Sequence, residues 1–258
     1  MGANADVVLV EDHGPVRVIT INRPEVRNAV DGPTAAGLLA AFLAFDADPD
    51  VSVALLTGAG GTFCAGADLK AIGDGRGNKV TEDGPGPMGP TRLLLGKPVI
   101  AAVEGFAVAG GIELAAWCDL RVAATDATFG VYCRRWGVPL VDGGTIRLPR
   151  LIGHSHALDL FLTGRGVSGD EAMAMGLVNR LTEPGDALAG ALALGAQIAA
   201  FPQLCLRSDR LASYDQWSLD LPDALTAEYH HGIATIRSGE TQAGAARFAA
   251  GEGRHGQQ

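Results

Sequence analysis

The chain is short of cysteine, of basic residues and of long apolar runs, and each shortage removes a class of protein. Four cysteines, Cys64, Cys118, Cys133 and Cys205, are scattered through 258 residues with no C-x-x-C spacing. The plain reading is a reduced, cytoplasmic compartment rather than a disulfide framework. Lys and Arg number 20 against 29 Asp and Glu, a net charge of −9. That balance argues against a general binder of nucleic acid or of anionic membranes, while leaving room for an anionic ligand held by a local Arg and Lys cluster. No apolar run reaches the ~18 residues of a membrane span. The opening MGANADVVLVEDHG has no basic segment followed by an apolar one, so no export signal is visible. The stretch Gly73 to Pro90 is nearly devoid of large apolar residues and rich in Gly and Pro. It reads as a mobile surface loop, not a domain linker, because strand signals continue on both sides.

What is present is apolar and periodic. With 47% apolar and 19% charged residues the chain can bury a substantial core. Val7 to Asp12 and Val16 to Ile21, separated by His-Gly-Pro, form a hairpin pattern. Pro33 opens a helix through Phe45, with Leu38, Leu39, Phe42 and Phe45 at helical spacing. Val51 to Thr57 is a buried strand running into the glycine-rich bend GAGGTFCAGADLK. A second such unit follows: a strand over Val99 to Val103, a bend over Gly105 to Gly111, a helix over Ile112 to Trp117 and a strand over Leu120 to Ala124. A strand passing through glycines into a helix aims free N–H groups at one point, because the first turn of a helix has no internal partners for them. Glu113, two residues past the last glycine, is a carboxylate in an apolar segment. Donors with a carboxylate beside them suit a reaction that passes through an oxyanion. Beyond Gly130 the texture turns helical, over Leu148 to Gly153, Ser155 to Thr163, Gly169 to Met175 and Asp186 to Ala200. Two regions are expected: a strand-rich core over about 1–200 and a helical region over 201–258.

Four segments carry a resemblance: INRPEVRNAV (Ile21 to Val30), GTFCAGADLK (Gly61 to Lys70), KPVIAAVEGFAVAGGIELAAWCDLRVA (Lys97 to Ala123) and DGGTIRLPRLIG (Asp142 to Gly153). With LTGRGVSGDEAMAMGLVNRL (Leu162 to Leu181) they resemble, in order, the crotonase superfamily, also called the enoyl-CoA hydratase/isomerase family. The resemblance implies an α/β fold, a crotonase-like spiral of ββα units with a helical C-terminal region that assembles trimers or hexamers. It implies a coenzyme A thioester as substrate and no resident cofactor or metal. It makes the backbone N–H groups of Ala67 and Gly110 the oxyanion hole for the thioester oxygen. It lays Ala65, Ala67, Asp68, Leu69 and Lys70 along the adenine and pantetheine of coenzyme A, with Arg27 near its phosphates.

Glu113 matches the first of two glutamates with which hydratases of this family position and activate water. The second is missing: its position is Cys133, in VYCRRWGVPLVDGGT. A positioned acid or base contributes about 10²–10⁴-fold, so another group must deliver the proton. Asp142 is the substitute, since dienoyl-CoA isomerases of the family place an aspartate three residues before the same threonine. Its other reading is an ion pair with Arg134, Arg135 or Arg147. Cys133 reads as a small packed thiol rather than a nucleophile, no His being placed beside it by sequence. Arg134, Arg135 and Trp136 either close the acyl end of the pocket or face a neighbouring subunit. His154 and His156 lack a third ligand and read as surface or cap residues. The basic tail of the family is reduced to Arg247, Phe248 and Arg254, which leaves Arg27 and Lys70 to meet phosphates. The leading expectation is enoyl-CoA hydration. The alternatives are an enoyl- or dienoyl-CoA isomerase and a non-catalytic acyl-CoA-binding protein of the same fold.

Overall fold

The N-terminal hairpin sets the edge of the main sheet. β1 (Val8–His13) pairs antiparallel with β2 (Val16–Ile21), and β2 alone of the two is buried on both faces. The computed structural model describes residues 6–252; the expected relic Arg254 lies outside them. From β2 inward the sheet is parallel, through β3 (Val53–Gly58), β4 (Val99–Val103), β6 (Leu120–Ala124) and β9 (Arg180–Thr182). Its order is β1-β2-β3-β4-β6-β9. A parallel sheet buried on both faces needs near-continuous apolar strands. VALLTG in β3 and VIAAV in β4 supply them.

A second, three-stranded sheet joins β5 (Phe106–Val108), β7 (Thr128–Gly130) and β8 (Gly166–Ser168). Two successive strand pairs, β4 with β5 and β6 with β7, give their first strand to the large sheet and their second to the small one, so β4 and β5 part company at Gly105. In the preceding repeat the second strand is reduced to a single bridge, Cys64 to Ala107. This is the spiral of ββα units, with one difference from the sequence reading. The stretch expected as a bend over Gly105 to Gly111 contains β5, whose three residues are too short a run to give a periodic signal.

The helices follow the apolar spacing. α1 (Gly32–Ala47) buries Leu38, Phe42 and Phe45. Asp31 caps it, accepting the Thr34 N–H at 3.0 Å, with Pro33 in the first turn where its missing donor is harmless. α2 (Leu69–Gly73) and α3 (Gly110–Trp117) each follow one of the two glycine bends. α4 (Gly144–Ile152), α5 (His154–Thr163), α6 (Gly169–Met175) and α7 (Ala187–Ala199) come next. α4 begins four residues earlier than expected, because Gly143 in the left-handed region (φ 92°) opens it.

The described residues divide into two compact units, one ending at Ile198 and the other beginning at Ala199. The second holds α8 (Gln203–Asp215), α9 (Leu221–Arg237, capped by Asp220) and α10 (Glu240–Ala249). Leu221, Leu225, Tyr229 and Phe248 on these helices are exposed. Among the described residues no single helix is long and apolar enough to cross a membrane.

The stretch 74–90 does contain neither helix nor strand, but its second half is not a surface loop. Residues 86–91 are buried, and Met88, 1% exposed, belongs to the hydrophobic core. The Gly and Pro content hid this: small residues let the backbone pass close to its neighbours, so few apolar side chains are needed to bury it.

Candidate active site

The two glycine bends are stitched together by backbone. Phe63 N–H donates to Glu104 O, Cys64 N–H to Phe106 O and Val108 N–H to Cys64 O, at 2.8, 2.8 and 3.0 Å. Gly111 has no room for a side chain, since a Cβ there would lie 2.1 Å from Cys64 O. Gly66 (φ 96°) is the other close approach: its Cβ would come within 2.8 Å of the Gly110 nitrogen. The peptide entering Ala67 therefore abuts the first turn of α3.

Both amides at this junction are unengaged. The bridge between Val30 and Ala67 uses flanking groups, Val30 N–H to Gly66 O and Asp68 N–H to Val30 O. In extended chain the amide between them points the other way, and Ala67 N–H donates to none of the described residues. Gly110 N–H opens α3 and likewise has no acceptor among them. The residue before it, Ala109, is held at φ 55°, ψ −124°, a region that a non-glycine residue occupies at a cost of about 1–3 kcal/mol. Its own N–H is tied to Gly130 O at 2.9 Å. The strained turn thus gives consecutive amides different fates, one in the small sheet and one free.

Ala67 and Gly110 line a cavity of about 340 Å³ together with Glu113, Cys133 and Asp142. Glu113 is 2% exposed. Its Oε1 accepts N–H groups from Asp142 and Gly144, both at 2.9 Å, so the opening of α4 grips one oxygen. Its Oε2 has no partner among the described residues. Gly144 is required here, because a Cβ would lie 2.9 Å from Glu113 Cγ. Burial is the main cause that pushes the Glu113 carboxyl up to about 7; the Gly144 N–H opposes it and the neighbouring Asp142 charge adds to it.

Asp142 repeats the arrangement. Its Oδ1 accepts Met88 N–H at 2.8 Å and the Thr91 hydroxyl, while Oδ2 has no partner among the described residues. Burial raises its carboxyl, and the Thr91 and Met88 donors, Arg92 and Arg147 draw it back. Arg147, on the helix that follows, donates to the carbonyls of Asp142 and Thr91 (2.9 and 2.7 Å). Arg134 and Arg135 donate instead to the carbonyls of Phe161 and Gly164 at the end of α5.

Cys133 is buried in a 3-10 turn over Tyr132–Trp136, and burial, then the Glu113 charge, pushes its thiol up. A thiol so placed is a poor nucleophile. Trp136 lines the cavity yet is 74% exposed, so it stands at the mouth rather than at a closed end. Ala65, Leu69 and Arg27 also line the cavity, Arg27 being exposed at its rim. Lys70 is exposed on α2 and does not line it. Asp68 does not line the cavity. Its carboxylate is buried and taken up by Arg23 at 2.9 Å and by the N–H groups of Lys70 and Ala71, so it anchors the bend. The sequence reading missed Met88, Thr91 and Tyr132; a lone long side chain in the Gly-Pro run was the only signal for the first. Among the described residues no cluster of three or more His, Cys, Asp or Glu side chains is placed to hold a metal ion.

Two bends meeting at unengaged amides, inside a ββα spiral, define the class. The chain belongs to the enoyl-CoA hydratase/isomerase family, whose model matches residues 11–255. It is 37% identical over 248 residues to enoyl-CoA hydratase EchA19 of Mycobacterium tuberculosis, covering 93% of this chain and 92% of that one. Crotonyl-CoA hydratase of Syntrophomonas wolfei is 35% identical over 224 residues, 86% of each chain. A crystal structure of an enoyl-CoA hydratase from Mycobacterium tuberculosis superposes with a TM-score of 0.91 at 39% identity, over 95% of this chain and 96% of that one.

Proposed function

We propose that the protein is an enoyl-CoA hydratase that adds water across the double bond of a 2-enoyl thioester. One observation carries this reading: the unengaged amides of Ala67 and Gly110 share a cavity with the unengaged oxygens of two buried carboxylates. Relatives named for hydration of enoyl- and crotonyl-CoA support it. The thioester oxygen lies between the two amides, each donor worth about 3–4 kcal/mol as charge gathers there. Glu113 takes a proton from water as the water oxygen bonds Cβ. The electron pair of the double bond moves to the thioester oxygen, and Asp142 delivers a proton to Cα as the enolate collapses. One water is added to the substrate, and the proton gained by Glu113 passes back to Asp142 before the next turnover. The scheme needs Glu113 ionised and Asp142 protonated; burial raises both carboxyls, and the Asp142 charge adds to the rise at Glu113. In the same reading Ala65 and Leu69 lie along pantetheine, and Arg27 and Lys70 meet the phosphates.

The pH dependence follows from the sign of the Glu113 shift. The base is ionised above about 7, so kcat/KM is expected to climb with pH up to that point and to fall again where the Asp142 acid loses its proton. A rate profile flat from pH 5.5 to 8.5 would contradict a base role for Glu113.

The direct assay follows the loss of conjugated-thioester absorbance with 2-enoyl-CoAs of increasing chain length, with the product weighed by mass spectrometry. A gain of one water is expected. No absorbance change at any length, in protein shown to bind coenzyme A, excludes hydration. The presence of Cys133 beside Glu113 gives isomerisation as the second reading, in which one carboxylate relocates the double bond. It yields a product of unchanged mass.

The helical region 201–258 is proposed to assemble three or six copies through the exposed Leu221, Leu225 and Tyr229. Sedimentation equilibrium is expected to return three or six times the chain mass, and a monomer at micromolar concentration contradicts it.

A further inference from the structure

The segment 86–91, GPMGPT, touches both halves of the proposed chemistry. Met88 donates its N–H to Asp142 Oδ1, and its thioether lies against Gly110, where an added Cβ would come 2.8 Å from Sδ. Thr91 is fully buried and gives its hydroxyl to the same Oδ1. Its carbonyl accepts Arg147 Nη2, while Nη1 of that guanidinium donates to the carbonyl of Asp142. One threonine therefore holds Asp142 twice, directly at the carboxylate and through Arg147 at the backbone. Gly86 makes room for the contact: a Cβ there would fall 1.8 Å from Thr91 Oγ1 and 2.8 Å from Asp142 Oδ1.

Two donors on one carboxyl oxygen fix its rotamer and decide where a proton can sit. With Oδ1 accepting from both Met88 and Thr91, the acidic proton belongs on Oδ2, on a residue that lines the cavity. We propose that Thr91 is a positioning residue for Asp142, holding Oδ2 toward the substrate as the proton-bearing oxygen. The inference rests on the reading of Asp142 as the proton donor. The charged groups facing Asp142 are Glu113 from α3, Arg147 from α4 and Arg92 beside the segment, and the test alters none of them.

Thr91→Val keeps the shape and removes the hydroxyl. With crotonyl-CoA it is expected to lower kcat about tenfold while leaving KM within about twofold, the effect of one lost hydrogen bond to an ionisable group. Losing a donor to the carboxylate raises the acid, so the alkaline limb of the kcat profile moves to higher pH. Thr91→Ser restores both rate and limb. In an Asp142→Asn background Thr91→Val has no further effect, because the two act as one unit. If Thr91→Val does not fold, Thr91→Ala carries the same expectations. Wild-type kcat and an unshifted limb in the threonine variant, with Asp142→Asn impaired, overturn the inference and spare the proposed function. Wild-type kcat in Asp142→Asn overturns the role of Asp142 itself.

Discussion

Replacing Glu113 with glutamine is expected to lower kcat for hydration by about 10²–10⁴-fold, with KM little changed. The variant is close to isosteric. Its amide oxygen can keep accepting the Asp142 and Gly144 N–H groups that now hold Oε1, so the opening of α4 stays in place. What changes is the group facing the cavity: an amide NH2, a donor that cannot take a proton from water, stands where Oε2 was. The loss corresponds to roughly 3–5 kcal/mol of barrier. The variant also removes a buried ionisable group. A carboxyl raised from 4.5 to about 7 by folding favours the folded state fully below its unfolded value, and that contribution is lost as pH rises through about 7. Above neutral pH the variant is therefore expected to melt at or above the wild-type temperature, which separates loss of turnover from loss of fold. Turnover within a few-fold of wild type leaves Glu113 without a catalytic role and favours the non-catalytic binding protein.

The second large effect is expected at Gly66. Substitution by Ala is expected to reduce kcat about 10²–10³-fold, the loss that follows removal of one oxyanion donor. The reason is steric and specific. Gly66 sits at φ 96°, and its Cβ would meet Ala109 Cβ at 2.7 Å, Gly110 N at 2.8 Å and Val108 O at 3.1 Å. Two of those three atoms are backbone of the opposite bend, so relief requires the bends to part. Parting them separates the Ala67 and Gly110 amides. Gly61→Ala is the control: Gly61 has φ 74° but nothing within 4 Å of an added Cβ. It imposes left-handed strain, about 1 kcal/mol, without touching the junction, and is expected to lower the melting temperature while keeping turnover. Equal losses of activity in the two variants contradict the account.

The parts of this site that the sequence disclosed are those written in local chemistry. The strand from Val99 to Val103 and that from Leu120 to Ala124 have the bounds their apolar runs suggest, because a parallel strand buried on both faces leaves an unbroken signal. Glu113 stood out as one charge in an apolar helix, and the two glycine bends by their context. What stayed hidden depends on pairings far apart in the chain. Asp142 meets Met88 and Thr91 across 54 and 51 residues, and no periodicity reports such a contact. The ion-pair reading of Asp142 gave way for the same reason, since Arg147 lies close in sequence but donates to carbonyls. The bend shows where Asp68 lies but not what holds it: its partner Arg23, 45 residues away, lies outside the glycine motif. β5, β7, β8 and β9 are three residues each, too short for an alternation to show.

The convergence of two amide hydrogens on the thioester oxygen is best tested by the carbonyl stretch of a bound substrate. The infrared difference spectrum of crotonyl-CoA, labelled with carbon-13 at the thioester carbon and bound to Glu113→Gln protein to stop turnover, reports that oxygen alone. The band is expected to move to lower frequency on binding, and to return toward its solution position when Gly66→Ala is added. A carbonyl band unmoved on binding, in protein saturated with the ligand, would mean that Ala67 and Gly110 do not hold the oxygen.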